Sequence, residues 1–290
     1  MGEKQKYTKD SVTSKDGTII GYRKMGSGTG IILMHGGANA SQHFMTLGTA
    51  LSDEFTVYIP DRRGRGLSGL YGESYSMQKE VEDLDAIIKK TGAHNIFGLS
   101  SGALILLQAS LKLPSIHKAA LYEPPLDVDN SIMAILSFMP RFDREIAEGK
   151  LADATVTMLK DFGIYFGLPS WITGLPRFVL ESIFKLYYRY EPKNIKGDDV
   201  SFTVLIPSFH FDYQLVVEMK NTLENFKAVP AEMLLIGGSK SPYFLEHTLD
   251  ELNKILPKVN RVELQGLGHA GSLDSGKPEL VAQELRKFFR

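Results

Sequence analysis

Gly98-Leu99-Ser100-Ser101-Gly102 decides how this chain is read, because it follows a strand-like run, Asn95-Ile96-Phe97, and opens a helix-like one, Ala103 to Leu111. Strand, sharp turn and helix in that order lift a serine hydroxyl above a sheet edge and place a helix N-terminus beneath it. Small residues two before and two after Ser100 let the backbone bend that tightly. A glycine-rich turn with a serine helix cap would use the same five residues without chemistry. The surrounding chain has to separate the two readings.

Before this pentapeptide, Ser11-Val12-Thr13, a Lys15-Asp16-Gly17 turn and Thr18 to Lys24 form an antiparallel hairpin pattern that ends in Gly26-Ser27-Gly28. Short apolar runs follow at Ile31 to Met34, Phe55 to Ile59, Ile96-Phe97, Ala119 to Tyr122, Met233 to Ile236 and Arg261 to Leu264. Runs that are apolar on both faces suit buried parallel strands. Helical periodicity fills Ser41 to Leu51, Ser76 to Lys89, Gly102 to Leu111, Phe244 to Leu256 and Pro278 to Phe289. Strand alternating with helix means an α/β architecture. The alternation stops between Asp127 and Phe226, where helical segments succeed one another without a strand. The expected organisation is a core of residues 1–126 and 227–290 carrying an inserted helical cap, 127–226. No repeat or flexible linker separates the two, so the cap should pack on the core.

With 43% apolar and 23% charged residues among 290, the chain can bury one large core that carries an insertion. A net charge of −1, with lysines and arginines dispersed, gives no electrostatic case for nucleic acid or an anionic membrane as partner. The absence of cysteine excludes disulfides, thiolate metal sites and a cysteine nucleophile. Histidines and carboxylates show no H-E-x-x-H or comparable spacing, and Gly64-Arg65-Gly66 is no dinucleotide fingerprint, so neither a metal nor another cofactor is expected. Met1 to Asp10 is polar and lysine-rich, and no later run has the length and apolarity to cross a bilayer. A cytoplasmic location is the expectation. Lys6 stands where serine or threonine would complete a myristoylation start at Met1-Gly2. Oligomeric state is left open.

Three further loops carry chemistry. His35-Gly36-Gly37 follows the first apolar strand, where glycines let backbone N–H groups approach a ligand. Asp61-Arg62-Arg63-Gly64-Arg65-Gly66-Leu67-Ser68 follows the next. Near the end, Val262-Glu263-Leu264 leads into Gly266-Leu267-Gly268-His269, which sets a histidine beyond a strand end as a candidate base. In this order, the HG loop, the D-x-R-G-x-G-x-S loop, the G-x-S-x-G elbow and the late G-x-G-H loop resemble the α/β-hydrolase superfamily over nearly the whole length. The resemblance implies a doubly wound, mostly parallel, eight-stranded sheet with catalytic loops at the strands' carboxyl ends. It also implies Ser100 as nucleophile, His269 as general base, and the N–H groups of Gly37 and Ser101 as the oxyanion hole. Such a serine needs a neighbouring imidazole to accept its proton, and the imidazole needs an acceptor to fix its tautomer.

That acceptor departs from the commonest pattern of the superfamily. Where its aspartate usually follows the strand after the cap, this chain reads Gly237-Gly238-Ser239-Lys240-Ser241-Pro242, and Ser241 occupies the place. A serine can orient an imidazole but carries no charge to stabilise an imidazolium. Glu123 in Leu121-Tyr122-Glu123-Pro124-Pro125 is the preferred acid, at the carboxyl end of the strand after the elbow helix. Haloalkane dehalogenases of the same superfamily look similar in carrying their acid there. Ser241 and Asp212 remain the alternative acid positions.

Aromatic residues crowd the cap from Phe138 to Tyr213, Tyr165 and Phe166 among them. Part of that surface docks the cap, and part should wall an apolar pocket over Ser100 for a small-molecule substrate. His35, Trp171, Phe209 and His210 are the expected pocket residues, with His35 also bracing the turn at Gly36-Gly37. Arg141, Arg144, Arg177 and Arg189 are available to pair a substrate carboxylate. The function these residues and the resemblance point to is a serine hydrolase, foremost a carboxylesterase on a small or medium apolar ester. Other chemistry on the same fold (C–C bond, lactone or amide hydrolysis, or a cofactor-free reaction) and a non-catalytic small-molecule receptor are the alternatives.

Overall fold

The computed structural model describes residues 7–163, 169–195 and 197–290; the expectations placed on Met1 to Lys6, Tyr165 and Phe166 lie outside them. Eight strands form one sheet in the order β1-β2-β4-β3-β5-β6-β7-β8. Their bounds are β1 Thr8–Thr13, β2 Ile19–Met25, β3 Thr29–Met34, β4 Phe55–Pro60, β5 Asn95–Leu99, β6 Lys118–Tyr122, β7 Glu232–Gly238 and β8 Val259–Leu264. The opening hairpin is antiparallel, and β2 joins the rest through an antiparallel pairing with β4. From β4 to β8 every pairing is parallel. Crossovers are required between parallel neighbours, and helices supply them: α1 Met45–Leu51, α2 Met77–Thr91, α3 Ser101–Lys112 and α11 Tyr243–Ile255, while α12 Pro278–Phe289 follows β8.

Alternation along the central strands explains why both sheet faces are covered. Ile32, Met34, Ile96, Leu121 and Leu235 face one buried cluster, which includes the side chains of α2 and α3. Their neighbours Ile31, Leu33, Phe97, Tyr122 and Ile236 face the other, closed by Leu47 and Leu51 of α1 and Val281 and Leu285 of α12. Successive side chains point to opposite faces, so a strand apolar at every position is held from two sides. The edge strand β8 is only half buried, in keeping with its Asn260, Arg261 and Glu263. Helix α3 lies deepest: Ala103 to Leu107 are all fully buried. Replacing Leu104 by alanine there should cost about 3 kcal/mol, through lost transfer energy and the cavity left behind.

Between β6 and β7 the chain passes through α4 Ser131–Ile135, α5 Met139–Ala147, α6 Leu151–Asp161, α7 Ser170–Thr173, α8 Arg177–Asn194, α9 Phe202–Leu205 and α10 Phe209–Glu218. Among the described residues of this stretch there is no strand. Helix α10 packs against α3 and α5. Tyr71 stacks on Phe211 and Tyr75 meets it edge-on, which fastens α10 to the loop after β4. Among the described residues no helix is long and apolar enough to cross a membrane.

Candidate active site

Register brings the chemical groups together. Leu99 pairs with Tyr122 and Tyr122 with Ile236, so Ser100 and Glu123 stand one residue past adjacent strand ends. The ladder continues through that residue: Ser100 N–H donates to Tyr122 O at 2.9 Å and Glu123 N–H to Ile236 O at 3.2 Å. Both residues take positive φ, 54° at Ser100 and 49° at Glu123. A side chain in that region is strained by roughly 1–3 kcal/mol, a cost met by the packing around it. Ser100 makes no side-chain capping bond to α3, so the bland use of this serine as a helix cap is not the one adopted. Close approach explains the flanking glycines. A Cβ on Gly98 would lie 2.6 Å from Gly102 O, and one on Gly102 would lie 2.5 Å from the carbonyl oxygens of both Met34 and His35.

His269 arrives from the loop after β8. Tyr122 donates its hydroxyl to Gly268 O at 2.8 Å, fixing the residue immediately before the histidine. The His269 Nδ1 to Glu123 Oε2 distance is 2.6 Å, with the Glu123 side chain fully buried. A carboxylate only accepts, so Nδ1 carries the proton shared across this contact. Glu123 Oε1 receives the Gly238 N–H at 2.8 Å and the Ser241 hydroxyl. Of the three positions considered from sequence, Glu123 is the one in hydrogen-bond contact with His269 Nδ1. Ser241 is the partner of Glu123, not of the imidazole.

Asp212, the third option, is engaged elsewhere. Its carboxylate pairs with Arg62 at 2.8 Å and Arg65 at 2.6 Å, and accepts the Ser101 hydroxyl at 2.8 Å. Burial alone would raise its pKa, but the guanidinium groups of Arg65 and Arg62, with the Ser101 hydrogen bond, hold it below the ordinary carboxylate range. Arg62 also pairs with buried Glu80 at 2.8 Å. The charged loop after β4 is thus folded inward: Arg62, Arg63 and Arg65 are all buried.

Ser100, His269, Gly37 and Ser101 border one cavity of about 640 Å³. Its remaining wall is mostly aliphatic and aromatic, drawn from the helices between β6 and β7, with Met158, Phe184, Ile206, Phe209 and Val216 among the contributors. Phe209, named from the sequence, is one of the residues bordering the cavity. Three other expected pocket residues are not. His35 is fully buried behind the site, its Nε2 accepting the Arg62 N–H at 3.1 Å and its Nδ1 lying 3.0 Å from Gly36 O. Burial, reinforced by Arg65 and Arg62, pushes its pKa well below the usual histidine value, so it is a neutral brace. Trp171 is 70% exposed and not part of the wall, because α7 is a single short turn with no buried residue. His210 points to Asp143 at 2.9 Å on the outer side of α10. Among the described residues no lysine or arginine lines the cavity, and Arg141 and Arg177 pair with Glu145 instead. Among the described residues no group of three or more His, Asp or Glu side chains could hold a metal ion.

The apolar wall residues carried no signal of their own, since an aliphatic side chain in a buried helix reads the same whether it meets the core or a cavity. The role of Asp212 was hidden for a similar reason: its partners lie roughly 110 to 175 positions away in sequence.

A doubly wound parallel sheet with a serine turn and a histidine loop at its carboxyl edge defines an α/β hydrolase. The chain belongs to the alpha/beta hydrolase family, whose model matches residues 31–284. It is similar to the uncharacterized hydrolase YraK of Bacillus subtilis, 33% identical over 115 residues, a match spanning 38% of this chain and 42% of that protein. A 3-hydroxybutyrate-oligomer hydrolase of Cupriavidus necator is 24% identical over 270 residues, 83% of this chain and 82% of that protein. Among solved structures, an alpha/beta hydrolase from Sphaerobacter thermophilus has a TM-score of 0.74 at 26% identity, covering 97% of this chain and 100% of that one. An esterase from Exiguobacterium antarcticum shares the fold, with a TM-score of 0.68 at 17% identity over 96% of this chain and 98% of that one.

Proposed function

We infer that this hydrolase is a serine carboxylesterase acting on neutral esters with an apolar acyl group, through an acyl-enzyme on Ser100. The observation that carries the reading is the His269–Glu123 pair at 2.6 Å on the cavity that Ser100 also borders. With Nδ1 committed to Glu123, His269 Nε2 takes the Ser100 Oγ proton as that oxygen attacks the ester carbonyl. The carbonyl oxygen becomes an oxyanion held by the N–H groups of Gly37 and Ser101, the latter at the head of α3, where first-turn donors lack helical partners. Collapse expels the alcohol, which takes the proton from His269. Water then repeats the sequence with His269 as base, releasing the acid and restoring Ser100. Glu123 stabilises the imidazolium throughout.

The helices between β6 and β7 act in this reading as a cap, residues 127–226, that supplies the apolar wall and keeps bulk water from the acyl group. A cavity of about 640 Å³ with no lysine or arginine among its described lining residues suits an uncharged chain or ring and disfavours a substrate carboxylate. The relative named as a 3-hydroxybutyrate-oligomer hydrolase agrees with a hydrolytic role. A fluorophosphonate probe with mass-spectrometric mapping tests the reading: stoichiometric labelling of Ser100, abolished in Ser100→Ala together with turnover of p-nitrophenyl butyrate, is expected. Tight ligand binding by a protein that neither labels nor turns over would establish a receptor instead.

A further inference from the structure

We propose that Asp212 is a positioning residue for the oxyanion hole: from helix α10 it ties the turn at Gly37 to the head of α3. The inference rests on the serine-hydrolase reading above. The two oxyanion donors come from different loops, one after β3 and one after β5, and both lie beyond the last β3–β5 register pair, Met34 with Gly98. The Asp212 side chain reaches both. Its Oδ1 accepts the Ser101 hydroxyl at 2.8 Å and Arg62 Nη1 at 2.8 Å. Its Oδ2 accepts Arg65 Nη2 at 2.6 Å and the Ala38 N–H at 3.3 Å. A Cβ added to Gly37 would lie 3.1 Å from that same Oδ2, so the carboxylate sits directly against the backbone of the turn.

Four donors converge on one carboxylate, about as many as its lone pairs serve. Asp212 is therefore no spare base; it is a four-point clamp with 3% of its surface exposed. Its charge would oppose an oxyanion nearby, yet Arg62 and Arg65 balance Asp212 and Glu80, two positive groups against two negative. The clamp supplies position with little net field. Because it comes from α10, the geometry of the hole depends on that helix being seated on the core. Asparagine cannot replace it: one side of its amide is a donor, and two of the four converging donors would lose their acceptor.

Ser101→Ala separates the clamp from the ion pairs, since it keeps the residue-101 N–H and both arginine contacts to Asp212 while removing the tether to α3, together with the 3.0 Å bond that Arg62 Nη1 donates to the same hydroxyl. With p-nitrophenyl butyrate, kcat should fall about ten-fold while KM stays within about two-fold, the pattern of a loss felt mainly in the transition state. Asp212→Asn should lower kcat about a hundred-fold, with the rate of fluorophosphonate labelling falling in step. Thr157→Val, which removes a buried bond to Glu145 away from the cavity, serves as a control that lowers the melting temperature and leaves kcat alone. An unchanged or raised kcat in Ser101→Ala overturns the proposal, and so does a KM rise without a kcat loss. Should Asp212→Asn fail to fold, Ser101→Ala alone decides. Failure of the wild type to label or to turn over defeats the serine-hydrolase reading itself, a result distinct from either.

Discussion

Ser241 donates its hydroxyl to the Glu123 oxygen that His269 leaves unused. Ser241 stands after β7, and its hydroxyl reaches a carboxylate one residue past the end of β6. One carboxylate oxygen is fixed by Ser241 and the Gly238 N–H, and the other faces the imidazole. The carboxylate plane is thus set before any substrate arrives, as preorganisation requires.

Glu123→Gln is accordingly expected to reduce kcat on an activated ester by about 10⁴-fold, because an amide cannot both fix the Nδ1–H tautomer and neutralise the imidazolium. Ser241→Ala should cost only a few-fold, since the Gly238 N–H still holds Oε1. Steady-state kinetics on the two variants check the order; a larger loss in Ser241→Ala than in Glu123→Gln would reverse the assignment.

Acyl chain length should govern specificity. Each added methylene that enters the apolar cavity contributes about 0.8 kcal/mol, or roughly four-fold in kcat/KM, until the space is filled. A series of p-nitrophenyl esters should therefore rise steeply from acetate through medium chains, and an ester bearing a free carboxylate on its acyl group should be a poor substrate. A flat profile would contradict an apolar acyl site.

Phe209 joins the cavity wall to the aromatic cluster of Phe138, Phe142 and Phe162, with ring centroids 5.6 to 6.4 Å away. Its replacement by alanine should cost about 3 kcal/mol of stability and shift preference toward bulkier acyl groups. Trp171→Ala, on an exposed turn, should stay within about 0.5 kcal/mol of wild type and leave specificity alone. Urea unfolding and the same ester series read both outcomes.

Acid stability should report on Asp212. Its folded pKa is depressed, so its contribution is complete above the unfolded value of about 3.9 and is lost as pH falls through the folded one. Relative to Asp212→Asn, the wild type should be more stable by about 3 kcal/mol near neutrality, the scale of a broken buried ion pair. That gap should hold from pH 8 to about 5 and close only below about 4. Unfolding curves at several pH values measure it, and a gap that widened on acidification would carry the wrong sign.

By itself the sequence determined the alternation of strand and helix, the elbow at Ser100, the histidine loop and the break after β6. Each is written locally: buried strands need apolar residues on both faces, and a tight turn needs Gly98 and Gly102 where the backbone has no room for a Cβ. Only the tertiary structure decided which of Glu123, Ser241 and Asp212 meets His269, that Asp212 serves Ser101 and two buried arginines, and that Phe209 faces the cavity while Trp171, His210 and His35 do not. Those outcomes depend on where a side chain a few ångströms long ends up relative to residues tens to more than a hundred positions away. Spacing along the chain does not encode that distance until strand register and helix packing fix it.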